Sequence, residues 1–184
     1  MERTALRLSR KTLFDILIIV AFALINFVIA SRHEPWRDEA QTWLLARDSS
    51  LTDLLFEHVR YQRHPFLWYL LQVPLAKSGL PYFSQALLHL SFAVAASALF
   101  LIKAPLPRLS RILFVFSYFM MYEYAIVARE YVVAIFLLFL IAWLYPRRME
   151  RPLAYGALLF LLFNSTYLCF LTAFSLFLLF AVDA

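Results

Sequence analysis

Glycine is nearly absent from this chain: Gly79 and Gly156 are the only two. That excludes a glycine-rich loop cradling a phosphate, because such loops need several positions without a Cβ. The single cysteine, Cys169, excludes an internal disulfide and any cysteine-based metal motif. There is no Ser-His-Asp sequence signature and no repeat with a period of 20–50 residues. Charge is also sparse, at 16% of residues against 64% hydrophobic. A soluble domain is nearer to about half apolar, so the composition is that of a membrane protein. Of the four histidines, only His58 and His64 are close in sequence, and their spacing is a poor match to a metal site. No resident metal is expected.

What is present is aromatic and aliphatic bulk in long runs. A membrane-crossing helix needs about 20 mostly apolar residues. The runs at 13–30, 82–102, 110–127 and 130–145 qualify, and a further apolar region covers 152–183. That last region is long for one plain span. It reads either as one tilted helix or as two shorter ones broken near Asn164-Ser165-Thr166, a glycosylation sequon discounted because it sits in an apolar region. The fold class expected is all-α, a polytopic transmembrane helical protein forming one membrane domain. The run 13–30 is longer than the core of a cleaved signal peptide, which is the alternative reading, and a charged flank follows it. The chain stops at FLLFAVDA without a polar tail, which reads as the N-terminal part of a longer polytopic protein.

Charge orients these runs. The net charge is +5, and the basic residues cluster as Arg3/Arg7/Arg10/Lys11, Lys103/Arg108/Arg111 and Arg147/Arg148/Arg151. Clusters set between apolar runs suit cytoplasmic loops and not a nucleic-acid-binding face. All three fall on the cytoplasmic side only if the short segment 65–76, which contains Pro74, does not cross. A dozen residues at about 1.5 Å each cannot cover a hydrocarbon core of about 30 Å. The N-terminus is therefore expected in the cytoplasm, and the loop 31–81 on the other side.

That loop carries its own order. Ala40, Trp43, Leu44 and Arg47 recur at helical spacing, and Ser50-Leu51-Thr52-Asp53 reads as a capping box. After it, Leu51, Leu54, Leu55 and Val59 share one helical face. Two short amphipathic helices lying in the membrane interface are expected, with Trp36, Trp43, Tyr61, Trp68 and Tyr69 at headgroup depth.

The polar residues on this outer side are the candidates for chemistry. Arg37, Asp38 and Glu39 open the loop's first helix. Acids in a first turn offset the positive helix end, which is reason enough for them to be there. Their other reading is a carboxylate that binds an acceptor hydroxyl and removes its proton. His64-Pro65 either starts a helix or presents a donor to a phosphate or sugar. Glu123, Arg129 and Glu130 fall between two apolar runs, on the same side, where charge in hydrocarbon costs at least a few kcal/mol. They either pair at the interface or turn inward, with Arg129 suited to a phosphate. Asp15 and Asn26 lie isolated in the first run.

Together these residues resemble the C-type glycosyltransferase superfamily, in the style of its protein O-mannosyltransferase and lipid A aminoarabinose transferase branch. The resemblance rests on Arg37-Asp38-Glu39-Ala40-Gln41-Thr42-Trp43 after a first span, on His64-Pro65-Phe66-Leu67-Trp68-Tyr69, and on Arg129-Glu130-Tyr131. The family often has Pro where this chain has Glu130. The resemblance implies transfer of a sugar, with inversion, from a polyprenyl-phosphate donor to a protein, lipid or glycan acceptor on the extracytoplasmic face, as in a bacterial inner membrane. It makes Asp38 the acid/base or acceptor-orienting carboxylate and Glu39 its hydrogen-bonding support. His64 and Arg129 become ligands for the donor phosphate or sugar, with Glu123, Glu130 and Arg37 as further substrate-binding candidates. It implies no fixed cofactor, although some relatives use a divalent cation. The rival readings are a transporter or channel subunit, whose charges would lie near mid-membrane, and a non-catalytic assembly protein.

The charge argument makes a direct prediction. In a Cys169→Ser background, Leu70→Cys and Leu106→Cys should be labelled by an impermeant thiol reagent from opposite sides of the membrane. Labelling of both from outside would overturn the orientation.

Overall fold

A computed structural model describes residues 9–58, 60 and 64–183. They are mostly helical, with no strand among the described residues. The helices are α1 (Arg10–Ala30), α2 (Arg37–Asp48), α3 (Leu51–Asp53), α4 (Leu67–Lys77), α5 (Phe83–Lys103), α6 (Arg108–Val115), α7 (Tyr131–Leu144), α8 (Pro152–Phe163) and α9 (Phe170–Asp183). Among the described residues, only α1 and α5 are long and apolar enough to cross a membrane.

Local chemistry explains several of the boundaries. Ser9 caps α1, its Oγ accepting the Thr12 N–H at 3.1 Å. At the start of α2 the Glu39 carboxylate reaches back to the Trp36 N–H at 2.7 Å, half of a capping box. The Ser50 hydroxyl accepts from the Asp53 N–H at 3.1 Å, and also donates to the Asp53 carboxylate at 2.7 Å. Gly79, at φ 77°, ends the turn after α4 in a left-handed conformation that suits a residue without a Cβ.

The core is one layer of packed helices. Against α5 lie α1 on one side and α7 on the other, and α8 continues the layer to α9. Ala93, Ala96 and Ser97 are fully buried on α5. Such small side chains allow close approach by a neighbouring helix, here α7 with its buried Ala134, Leu137 and Ile141. A second unit, α2 packed on α4, covers the end of the layer where α1 stops and α5 and α7 start.

Several expectations change. The run 110–127 is not one straight helix. It bends after Val115, widens into a π-helical turn at Phe119–Glu123, and leaves helical structure by Val127. Wide turns of this kind bend helices. Here Met120 turns in while Tyr118 and Phe119 stay exposed. The apolar region 152–183 takes the broken form, as α8 and α9 separated by a turn and a 3-10 segment at Tyr167–Cys169. In the loop, the helix after Ser50 makes one α-turn and then a π-turn at Leu54–His58, with Leu54 buried but Leu51 exposed. Val59 and Tyr61 lie outside the described residues. Nor are the loop's aromatics all interface anchors: Trp43, Trp68 and Tyr69 are buried in protein, and Trp36 alone of the described four is exposed. Trp43 sits with Ala46 and Ala76 in a small core of its own, its ring edge-on to Tyr82 at 5.8 Å.

The basic clusters gather at one end. Arg108 pairs with Asp15 at 2.6 Å and donates to the Lys11 carbonyl at 3.1 Å, joining the first cluster to the second. Lys103 lies 5.8 Å from the Trp143 ring, close to the third. Arg3 and Arg7 lie outside the described residues.

Burial separates the tryptophans sharply. Trp43→Ala should cost about 3–5 kcal/mol of stability, the usual loss for a buried large aromatic. Trp36→Ala should stay within about 0.5 kcal/mol. Thermal unfolding of the detergent-solubilised variants checks this, and equal losses would contradict the packing.

Candidate functional site

Asp38 and Glu39 are neighbours with opposite environments. On α2 the two side chains point about 100° apart around the helix, as 3.6 residues per turn requires. Glu39 faces the bundle and is 2% exposed. Its Oε1 accepts the Ala128 N–H at 2.6 Å, and its Oε2 accepts from Trp36 N–H and from His33 Nε2 at 3.0 Å. A buried carboxylate is tolerable when its lone pairs are met in this way. The same carboxylate therefore ties the end of α1, the start of α2 and the segment before α7 into one unit.

That segment, Ala125–Ala128, is buried although it is not helical. Its backbone polar groups would each cost about 1–3 kcal/mol if left unpaired. Polar side chains from α5 meet two of its carbonyls. Gln85 Nε2 donates to Ala128 O at 3.3 Å and to Glu39 O at 3.2 Å, and His89 Nδ1 donates to Ala125 O at 3.3 Å.

Asp38 points the other way, its side chain 57% exposed, towards Arg129 at 3.3 Å. The two frame a cavity of about 190 Å³ lined by Asp38, Gln41, Thr42, His64, Tyr69, Arg129 and Glu130. Every one of these side chains has a polar group. Thr42 lies one helical turn beyond Asp38 and donates to its carbonyl at 2.7 Å. On the far wall Glu130 is 5% exposed. Its Oε1 lies 2.9 Å from His64 Nδ1, at ion-pair distance without hydrogen-bond alignment, and its Oε2 lies 3.9 Å from Arg129 Nε. Tyr69 is buried beside it. Burial first, and then the Glu130 charge, push its phenol up to about 12, against the opposing effects of the Thr42 hydroxyl and then Arg129. At neutral pH Tyr69 therefore keeps its proton and is a hydrogen-bond donor. The arrangement offers an exposed carboxylate, a half-buried guanidinium, an imidazole and a phenol around one small space.

The structure thus brings Asp38, His64, Arg129 and Glu130 together from three separate stretches of sequence. Glu39 does not reach the cavity; its role is to hold the framework behind it. Arg37 lines a different groove, on another side of α2, with His58, Asp48 and Asp53. Glu123 sits in the π-turn and lines neither space. Asp15 and Asn26 are not isolated: Asp15 pairs with Arg108, and buried Asn26 donates to Phe22 O at 2.8 Å and contacts Met121 Sδ at 3.4 Å. Gln41, Thr42 and Tyr69 were missed as site residues. Helical spacing from Asp38 signals the first two; nothing in the sequence marks Tyr69 beyond its type. Gln85 and His89 were missed as well; polarity four residues apart in an apolar run is the one signal that could have found them.

Among the described residues no group of three His, Cys, Asp or Glu side chains could hold a metal ion. Both carboxylates at the cavity face Arg129, at 3.3 Å from Asp38 and 3.9 Å from Glu130, and no step is assigned to a metal ion. The chain matches no family model, no curated protein and no solved structure.

The two acids should respond differently to removal of charge. Glu39→Gln should lower stability by about 1.5–3 kcal/mol, the range for hydrogen bonds to a charged group. Asp38→Asn should change it by less than about 0.5 kcal/mol. Equal shifts in Tm would contradict the opposite placements.

Proposed function

We propose that this chain is a membrane-embedded glycosyltransferase region, with its basic end in the cytoplasm and the Asp38 cavity at the extracytoplasmic face. Two features support the membrane setting. Helices of 21 residues, α1 and α5, reach about 31 Å, the thickness of a hydrocarbon core. Large apolar side chains such as Leu17, Leu24 and Leu171 are more than half exposed, on a scale that soluble monomers rarely show. In this setting α7, α8 and α9 complete a polytopic bundle, and α2 and α4 lie at its outer surface.

The chemical reading rests on one observation: Asp38, exposed, faces Arg129 across a small polar cavity at the end of the bundle away from the basic clusters. The donor is a sugar on a polyprenyl phosphate; the acceptor is a protein, lipid or glycan hydroxyl. Asp38 takes the proton of that hydroxyl. The acceptor oxygen bonds to the sugar carbon from the side opposite the phosphate, so configuration inverts. The bond from that carbon to the phosphate oxygen breaks, and the polyprenyl phosphate leaves with the electron pair. Arg129 exchanges Asp38 for the departing phosphate, whose growing charge it stabilises. His64 and Tyr69 supply further donors, while Glu130 keeps Arg129 and His64 in place. A volume near 190 Å³ is below that of whole-ligand pockets, about 300–1,000 Å³. It suits the reacting groups alone, with the lipid tail lying outside among hydrocarbon.

The test uses membranes containing the full-length protein and polyprenyl-phosphate sugars. Asp38→Asn should reduce sugar transfer by about 10²–10⁴-fold, the contribution of a positioned general base. Arg129→Lys should also reduce it, because lysine lacks the planar fork. Wild-type transfer by Asp38→Asn would overturn the assignment.

A further inference from the structure

A second cavity, at the basic end of the bundle, differs from the first in every respect. It encloses about 400 Å³ and is bounded by Leu99, Phe100, Lys103, Leu106, Phe139 and Trp143. Its floor is aromatic: the Phe100 ring lies 4.3 Å from Phe114 and 5.1 Å from Phe139, centre to centre. One charge stands at its rim. Lys103 is exposed, with its Nζ 5.8 Å from the Trp143 ring. Among the described residues no carboxylate lies within ion-pair distance of it. The acids that do pair at this end are taken by other cations, Asp15 by Arg108 at 2.6 Å and Asp183 by Arg148 at 2.5 Å.

We propose that this cavity is a binding site for an anionic phospholipid of the leaflet at the basic end, one acyl chain lying on the Phe100–Phe139 floor and the phosphate on Lys103. The proposal rests on the membrane setting above and not on the transfer chemistry. Each part of the site selects one part of the ligand. An apolar slot of this size accepts hydrocarbon. A lysine ammonium binds phosphate as a point charge. Trp143, half exposed at the same rim, is the residue type favoured at headgroup depth. A soluble phosphate would meet Lys103 but leave the slot unfilled. A zwitterionic lipid would fill the slot but bring its own cation beside Lys103. Only an anionic lipid satisfies both, and basic residues next to a leaflet attract such lipids in general.

The experiment uses the full chain in phosphatidylcholine nanodiscs containing a minor fraction of lipid brominated on its acyl chains. The headgroup is phosphatidylglycerol in one arm and phosphatidylcholine in the other. Bromine quenches tryptophan on contact, and Trp143→Phe isolates the Trp143 signal from the three other tryptophans. Brominated phosphatidylglycerol should reach half-maximal quenching of Trp143 at about one-fifth the mole fraction of brominated phosphatidylcholine, the enrichment one basic residue contributes at an anionic leaflet. Lys103→Gln should remove that difference, and Lys103→Arg should keep it. Equal quenching in the two arms, or a difference that survives in Lys103→Gln, overturns the lipid site while leaving the membrane setting intact. Absence of Trp143 quenching by either lipid also overturns the lipid site, whereas failure of the chain to enter the nanodiscs overturns the membrane setting itself.

Discussion

The buried carboxylate of Glu39 holds together the end of the bundle that carries the Asp38 cavity. It accepts two backbone N–H groups, from Trp36 and Ala128, and the His33 imidazole. These partners come from two distant places along the chain, the connector between α1 and α2 and the segment before α7. A charge this deeply buried is stable only while all of them are present, so it acts as a constraint as much as a bond. It fixes the rotation of α2, and with it the direction in which Asp38 points. It also fixes Ala128, and with it the neighbouring Arg129. The 3.3 Å approach of Asp38 to Arg129 is a consequence of what Glu39 binds on the opposite face of the helix.

The same physical demand explains the interior of the layer. A helix satisfies its own backbone, whereas the segment after the π-turn at Phe119–Glu123 does not. Buried non-helical backbone must be met by side chains, and in a hydrocarbon setting the requirement is absolute. Gln85 and His89, on successive turns of α5, meet it. These polar residues inside an otherwise apolar helix let an irregular segment carry Arg129 and Glu130 to the cavity. A regular helix through 110–127 would have left Arg129 with no such framework to fix it.

The molecule is also divided by charge along its length. Basic residues collect where α1 starts and α5 and α7 finish. The acids and polar groups that form the Asp38 cavity collect at the other end. The helices between are apolar and expose much of that apolar surface. The two cavities follow the division: one small and polar, with paired charges, the other larger and apolar with a single cation at its rim.

How much of this was legible in the sequence follows from the range of the forces. Runs of apolar residues predict helices because their local pattern is sufficient, and α1, α5 and α7 fall close to their expected limits. The Ser50 cap was legible for the same reason, as was the placing of Asp38 and Glu39 in a first helical turn. Asp38, His64, Arg129 and Glu130 could be nominated as residue types near one end of the bundle. Which of them meet could not, because their contacts join positions far apart in sequence. Trp43, Trp68 and Tyr69 read as interface anchors, since an amphipathic ring suits either an interface or a core and only its neighbours decide. The sequence by itself determined the helices, the gathering of like charges and the pool of candidate residues, all set by patterns a few residues long. Tertiary structure alone decided that Glu39 turns in and Asp38 out, that Arg37 and Glu123 lie elsewhere, and that the run 110–127 breaks. Those outcomes depend on which distant donor satisfies which buried acceptor, and no local pattern carries that information.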